Sequence, residues 1–204
     1  MPLAIILRTS GTTNIFRDFI VNILASKNID TALLCSGFFQ ESFRGSAYHA
    51  SLENRLAAKC ATSGVNLTTV GIHNHTWLRS YREFRNNMLS AGVKINCFRK
   101  INLRWHAKIF IAKTDGIPCA GIIGSSNITR NAFSVGKNFN NECDVFLWSE
   151  NSPLSSIIED FFSRDNGDII IRAPYLPEEN DNLSLGDLLL NVENEVMSSG
   201  IVPL

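Results

Sequence analysis

The sequence lacks any run of about 18 apolar residues, the length that a membrane-spanning helix requires. Its opening residues, MPLAIILRTSG, contain no basic cluster and too short an apolar stretch for a signal peptide. Apolar residues make up 45% and charged residues 19% of the 204 positions, which is ordinary for a globular protein. This composition excludes disordered, collagen-like and fibrous proteins. We expect a cytoplasmic protein with its own hydrophobic core and no contact with a membrane.

Cysteine is scarce and occurs singly. No C-x-x-C pair is present, although structural zinc sites usually contain one. An odd number of isolated cysteines in apolar stretches is typical of buried free thiols in a reducing compartment. We therefore expect free, buried thiols at Cys35, Cys60, Cys97, Cys119 and Cys143.

The chain has no net charge, with 19 basic and 19 acidic residues, but the two signs are separated along it. Residues 79–113 hold nine basic residues and a single acid, Glu83, whereas residues 141–204 hold thirteen acids and two arginines. Such charges either cluster on solvated faces or form a surface that binds a polyanion, because lysine and arginine are the usual phosphate contacts. The candidate nucleic-acid contacts are Arg79, Arg82, Arg85, Arg99, Lys100, Arg104 and Lys113.

Strand and helix patterns alternate over the first hundred residues. The helical segments repeat apolar residues at helical spacing, and two of them end at a glycine. This alternation with short connections predicts a mostly parallel sheet covered by helices on both faces. The predicted strands cover residues 3–8, 31–39, 65–72 and 93–99, and the predicted helices cover residues 14–27, 48–63 and 77–91.

The later part of the chain has a different pattern, with two strands joined by a tight Asp-Gly turn and two further strands around a helix. These elements are predicted at residues 106–113, 119–127, 142–149, 154–164 and 168–173. We expect an α/β protein, a three-layer α/β/α sandwich with a central mixed, mostly parallel sheet, formed by residues 1–173. Residues 174–204 are expected to form an acidic linker and a C-terminal amphipathic helix.

Several polar residues are predicted to meet where neighbouring strands begin or end. His106 and Lys108 are two residues apart, so on one strand their side chains point to the same side. A histidine can attack phosphorus, an ammonium and an amide can hold phosphate oxygens, and a carboxylate can orient the imidazole. The candidate catalytic residues are His106, Lys108, Ser125, Ser126, Asn127 and Glu142.

This segment resembles the phospholipase D superfamily. The signature of that family is H-x-K-x4-D, then G-S-x-N and a downstream glutamate, and residues 106–148 match it in order and spacing through HAKIFIAK, GSSN and NNE. The aspartate is the departure, because Lys113 stands at its position and Asp115 lies two residues later. The resemblance is nearest to the single-motif, metal-independent nucleases and to restriction-endonuclease catalytic domains. It implies that residues 1–173 form a catalytic domain.

The resemblance also implies a covalent mechanism at a shared site. His106 would attack phosphorus and form a phosphohistidine, with Glu142 on its other imidazole nitrogen. The phosphate oxygens would be bound by Lys108, Asn127 and either Ser125 or Ser126. A second histidine is needed for the leaving group, and because this chain has one H-x-K copy, the second would come from another copy in a homodimer. This chemistry requires no metal and no cofactor.

The remaining histidines do not repeat the motif. His73-Asn74-His75 spells the letters of the HNH nuclease motif, but there the letters are spread over a hairpin and a helix. A metal site at these two histidines would lack supporting Asp, Glu or Cys residues nearby. We expect this segment to line a cleft or to be an ordinary polar loop.

Two kinds of enzyme and one binding module compete as the function. We expect a phosphodiesterase, an endonuclease that cleaves DNA rather than RNA in restriction or defence, because the basic segment runs into the motif strand. A phospholipase D-type lipid hydrolase or phosphatidyltransferase would need a membrane-facing element, and none is evident. A retired nucleic-acid-binding module would not need the full polar set. Because the residues after the last strand are too few for a DNA-reading domain, we expect any sequence selectivity to come from loops or from a partner chain, such as a separate specificity subunit.

Overall fold

The computed structural model describes residues 2–40, 51–72, 75–100, 106–133, 135–137, 139–163, 167–198 and 200–204. The strands are β1 (Pro2–Leu7), β2 (Thr31–Ser36), β3 (Phe39–Gln40), β4 (Asn66–Ile72), β5 (Lys94–Lys100), β6 (Lys108–Thr114), β7 (Ile117–Gly124), β8 (Ile128–Thr129), β9 (Cys143–Trp148), β10 (Ile169–Pro174) and β11 (Ile201–Pro203). The helices are α1 (Ile15–Leu24), α2 (Ser51–Ser63), α3 (His75–Ser90), α4 (Arg130–Phe133), α5 (Ser155–Ser163) and α6 (Leu185–Val196). In this described part, no helix is both long and apolar enough to cross a bilayer.

Nine strands form one mixed sheet in the order β10-β1-β9-β7-β6-β2-β4-β5-β11. The prediction of a mixed sheet between helices is confirmed, but the prediction that it is mostly parallel is wrong. Among the described strands, parallel pairing occurs in this sheet only between β2 and β4 and between β4 and β5, where α2 and α3 make the crossovers. The other strands meet antiparallel, because β6 and β7 form a hairpin and β1 inserts between β9 and β10.

Local sequence explains where several elements begin and turn. Asn14 caps α1, since its side-chain oxygen accepts the backbone N–H of Arg17 at 2.8 Å. The predicted Asp-Gly turn joins β6 to β7, with Asp115 and Gly116 both at positive φ, 51° and 77°. Two consecutive residues with positive φ suit a tight hairpin, and aspartate and glycine tolerate this conformation best.

Helices cover the two faces of the sheet unequally. On one face, α1, α2, α3 and α5 pack on a large apolar core in which Phe19 of α1 meets Phe146 of β9 at a ring-centroid distance of 5.0 Å. On the other face α6 packs its apolar side, including Leu189, on β6 and β7. Leu189 lies so near the sheet that a Cβ atom at Gly121 would approach its Cδ2 to 2.7 Å. The three-layer α/β/α arrangement is thus present, with one of its outer layers reduced to α6.

The C-terminal segment is tied into this sheet, where the sequence predicts an acidic linker and an amphipathic helix. β11 pairs antiparallel with β5, so residues 201–203 extend the sheet edge. The Lys100 ammonium donates to the carbonyls of Glu195 and Val196 at 2.6 and 3.2 Å, at the end of α6. Lys113 forms an ion pair with Glu193 at 2.7 Å. Residues 174–204 therefore contribute one helix layer and one strand to the same fold.

Four of the five cysteines are buried free thiols, as predicted. Burial raises the pKa of Cys35 and of Cys60 to about 12, so both thiols stay protonated. Cys143 is exposed, and the prediction of burial is wrong there. It stands first on β9, where the alternation of the strand turns its side chain away from the large core.

Candidate active site

The motif residues meet along one edge of the sheet. Lys108 is the register partner of Gly124 across β6 and β7, and Gly124 is the register partner of Asp144 across β7 and β9. β2 ends at the same edge, where Ser36 lies beside Asn127. The topology thus brings together residues that are far apart in the chain, because four neighbouring strands begin or end there.

His106 and Lys108 differ in exposure. His106 lies just before β6, not on it as predicted, and its side chain is exposed. Lys108 is 8% exposed, and its ammonium donates to the carbonyl oxygen of His106 at 2.8 Å. An exposed imidazole can approach a substrate phosphorus, and the Lys108 ammonium is bonded to the backbone of the same residue.

Burial lowers the pKa of Lys108, because charge is costly away from water. The negative charges of Glu142 and Asp144 oppose that shift and favour the ammonium form. A cation held near two carboxylates at a sheet edge can offer N–H donors to an incoming phosphate.

The two serines of the G-S-S-N sequence point in different directions. Ser125 is half-buried, and its hydroxyl bonds to the Glu142 carboxylate. Ser126 is 1% exposed, and its hydroxyl donates to the Asp144 carboxylate at 2.5 Å. The resemblance left open which serine would bind phosphate, and of the two only Ser126 is enclosed.

Asn127 and Glu142 are both held by neighbouring polar groups. The Asn127 side-chain oxygen accepts from the Ser36 hydroxyl at 3.3 Å. Glu142 also accepts from the amide of Asn140 at 3.1 Å. Within the described ranges Glu142 bonds to Ser125 and Asn140 and no hydrogen bond joins it to His106.

Arg8 and Asp144 belong to this site and were missed in the sequence. Arg8 is 4% exposed, and its guanidinium donates to the carbonyls of Asn131 and Ala132 at 3.2 and 3.1 Å. Its backbone N–H donates to the carbonyl of Glu142 at 2.9 Å. Arg8 thereby anchors the loop that leads into β9. The sequence does contain a signal for both residues. Each is the one charged residue in an otherwise apolar strand pattern, Arg8 at the end of β1 and Asp144 within β9.

The predicted nucleic-acid contacts divide into two groups. Arg79 and Arg82 are exposed on α3, and Arg79 donates to Glu83 at 3.0 Å. Arg85 and Arg99 are half-buried. Lys100 and Lys113 instead bind α6, so the prediction that these two lysines contact phosphate is corrected. Arg104, His49 and His73 lie outside the described residues, and His75 begins α3.

Comparisons with known proteins agree with this geometry. The family model described as "Cardiolipin synthase, PLD-like domain" matches residues 20–166, which is well over half of the chain. No curated protein matches the chain closely enough to count as a relative.

Two solved structures share the fold. The phospholipase D family member Nuc from Salmonella typhimurium aligns with a TM-score of 0.51 at 18% identity, over 85% of this chain and 100% of Nuc. The phosphatidylserine synthase of Haemophilus influenzae Rd KW20 aligns with a TM-score of 0.50 at 9% identity, over 95% of this chain and 44% of the synthase. At these identities the likeness shows the fold alone, but with the family match over residues 20–166 the chain belongs to the phospholipase D superfamily, whose members hydrolyse or transfer phosphodiesters.

Proposed function

We propose that this chain is a metal-independent endonuclease that cleaves DNA through a phosphohistidine at His106. One observation carries the proposal: the exposed imidazole of His106 stands at the edge where Lys108, Ser125 and Asn127 converge. A phosphorus atom placed against the imidazole would have the Lys108 ammonium and the Asn127 amide as donors for its oxygens, and the Ser125 hydroxyl would become a third donor on leaving Glu142. This arrangement suits stabilisation of charge on a transferring phosphoryl group.

The reaction has two steps. An imidazole nitrogen of His106 attacks phosphorus, the bond from phosphorus to the leaving oxygen breaks, and a second histidine gives that oxygen its proton. The same second histidine then takes a proton from water, whose oxygen attacks the phosphohistidine and displaces the imidazole. Throughout, Lys108 neutralises the non-bridging oxygens, and this requires its ammonium form.

The second histidine is proposed to come from a second copy of the chain, because the H-x-K motif occurs once. We assign this contact to a half-exposed apolar row, which lies one residue in from Gly124 and Asp144 and on the opposite face of the sheet from Lys108. On the α6 side of the sheet Ile171, Ile5, Val145 and Ile123 lie in register across β10, β1, β9 and β7, and Ile171 is 49% exposed. An apolar row of this kind suits a self-complementary interface on a two-fold axis.

DNA rather than RNA is proposed as the substrate, with α3 as a backbone contact. This helix starts at the edge where β2 and β4 end, which is also the site edge, and it carries Arg79 and Arg82 on its exposed surface. Cations of this kind position a duplex through its phosphates without reading its sequence. We propose that a separate specificity subunit recognises the DNA sequence. Together with that subunit, this chain would act in restriction or defence.

The test is cleavage in the presence of EDTA. Purified chain should cut plasmid DNA, and quenching in alkaline denaturant during turnover should leave radiolabelled DNA bound to the protein, because the N–P bond of a phosphohistidine survives base but not acid. The His106→Ala variant should give neither product nor bound label while its thermal unfolding stays like that of the wild type. Cleavage that EDTA abolishes and Mg²⁺ restores would refute the proposal.

A phosphatidyltransferase is the second candidate, favoured by the family model whose description names a cardiolipin synthase. The same two chemical steps would then pass a phosphatidyl group to an alcohol instead of water. Vesicles containing phosphatidylglycerol, assayed in parallel with plasmid DNA, separate the two candidates. Binding of DNA without cleavage of either substrate would indicate a retired binding module.

A further inference from the structure

Asp144 is a buried carboxylate to which the two reaction steps give no role. It faces the same side of the sheet as Lys108, because both residues are in register with Gly124, which lies between them. Asp144 is 4% exposed. Burying a carboxylate is costly unless it is hydrogen-bonded and electrically compensated, so its presence here needs an explanation.

Gly124 makes the space for this carboxylate. A Cβ atom at position 124 would lie 2.7 Å from the Asp144 Cα and would collide with its Oδ1. A side chain at this position would displace Asp144 from its place over β7. The Asp144 side chain therefore needs a glycine at position 124, the first residue of the G-S-S-N sequence.

Both oxygens of Asp144 bind the middle residue of the loop formed by Ser125, Ser126 and Asn127. Oδ1 accepts the backbone N–H of Ser126 at 3.1 Å, and Oδ2 accepts its hydroxyl at 2.5 Å. These bonds fix the backbone and the side chain of Ser126 at once, out of contact with water. Ser125 and Asn127 are joined to this fixed residue through the backbone on either side.

The charge of Asp144 also acts on the cations of the site. Burial lowers the pKa of Lys108, and Asp144 together with Glu142 opposes this shift. Burial likewise lowers the pKa of Arg8, and Asp168, Glu142 and Asp144 oppose it. Without Asp144, only one of the two carboxylates that favour the Lys108 ammonium would remain.

We propose that Asp144 is a positioning residue of the phosphate-binding loop, which through Ser126 fixes the aim of Ser125 and Asn127. The inference rests on the proposed function, since it assigns these groups to a phosphate. Asp144 itself does not touch the substrate, because Ser126 and Gly124 lie against both its oxygens.

The test compares Asp144→Asn with Asp187→Asn. Asp187 is a matched control, because it accepts the hydroxyl of Ser184 at 2.6 Å in the same pairing of residues, but at the exposed start of α6. Each variant is measured for turnover of bis(p-nitrophenyl) phosphate, for inorganic phosphate affinity by calorimetry, for duplex DNA affinity and for thermal unfolding.

Asp144→Asn should lower kcat about 10- to 100-fold, the usual cost of misplacing a reacting group slightly. Its phosphate affinity should fall, whereas its DNA affinity should stay at the wild-type value because α3 holds the duplex. Asp187→Asn should change none of these three quantities. A merely structural role of Asp144 would lower stability without separating phosphate affinity from DNA affinity.

A double-mutant cycle keeps the test decisive if Asp144→Asn folds poorly. Ser126→Ala removes one of the two bonds and should lower kcat about tenfold, with little further loss when it is combined with Asp144→Asn. Wild-type kcat in either single variant, or losses that multiply in the double variant, would overturn the positioning role. If the wild type proves inactive and still binds phosphate more tightly than Asp144→Asn does, that result would refute the proposed phosphodiesterase activity but support the positioning role of Asp144.

Discussion

The basic segment contains two groups of cations that the structure uses in opposite ways. The outer arginines, Arg79 and Arg82, lie on the exposed surface of α3, and the side chain of Arg79 is 90% exposed. The inner lysines, Lys100, Lys108 and Lys113, turn into the protein and have internal partners. Both groups belong to one basic stretch of the sequence, so charge along the chain does not distinguish a surface that binds DNA from cations that hold the fold.

The inner lysines also differ among themselves by the face of the sheet on which they lie. Lys108 and Lys113 stand an odd number of positions apart on β6, and alternate residues of a strand face opposite sides. Lys108 therefore faces α1 and the site, whereas Lys113 reaches Glu193 of α6. The lysine at the position of the motif aspartate thus joins the C-terminal helix to the sheet.

Removing the Lys108 ammonium should produce the largest effect. Lys108→Ala should lower kcat about 100- to 1,000-fold, because one preorganised donor to the phosphate oxygens is removed. Affinity for DNA should not change if the outer arginines bind the duplex. Lys94→Ala, an exposed lysine at the start of β5, is the control and should leave kcat unchanged. If Lys108→Ala and Lys94→Ala lose kcat equally, the distinction between inner and outer cations is wrong.

Turnover should also fall at alkaline pH. Burial lowers the pKa of Lys108 from its ordinary value of 10.5, while the charged groups that face it, Glu142 and Asp144, oppose this. Because the ammonium is the active form, kcat should decrease as pH rises through that lowered pKa, about tenfold for each further pH unit. The Asp144→Asn variant should reach its alkaline midpoint at lower pH. A midpoint above 10.5 in the wild type would contradict the burial of the active lysine.

Breaking the Lys113–Glu193 pair should affect stability and leave the chemical step unchanged. The two side chains are 18% and 16% exposed, so Lys113→Ala leaves a carboxylate that is mostly out of water. We expect a loss of about 1–3 kcal/mol in the free energy of unfolding, measured by urea titration. Replacing Glu193 by alanine as well should recover part of that loss. If Lys113→Ala loses less free energy of unfolding than an alanine substitution at an exposed position, the pair does not hold α6.

Much of this arrangement could be predicted from sequence, and the exceptions have a common cause. Periodicity located the main helices and strands, and motif spacing brought His106, Lys108 and Asn127 to one edge. Strand order was not predictable, because β1 inserts between two strands that come much later in the chain. The inward turn of Ser126 and the partners of Lys100 depend on contacts between distant residues. Such contacts leave no periodic trace in one sequence.

Charge reversal of the outer arginines should act on binding and leave stability unchanged. The double variant Arg79→Glu and Arg82→Glu should weaken DNA binding for all sequences, and the slope of log affinity against log salt should shrink by about 0.9 for each phosphate that the variant no longer binds. Turnover of bis(p-nitrophenyl) phosphate should stay at the wild-type value, since this small substrate does not reach α3. An unchanged salt slope would show that these arginines are a solvated face.

The smallest effect concerns the ion pair of Arg79 itself. Its guanidinium and the Glu83 carboxylate are 3.0 Å apart on successive turns of α3, with side chains 90% and 41% exposed. Exposed pairs at this spacing contribute about 0.3–0.5 kcal/mol, because water and salt screen them. Arg79→Ala should therefore change the free energy of unfolding by no more than that, whereas Lys113→Ala costs several times as much. If the two variants lose equal stability, Arg79 has a partner inside the fold and does not belong with the cations left free for DNA.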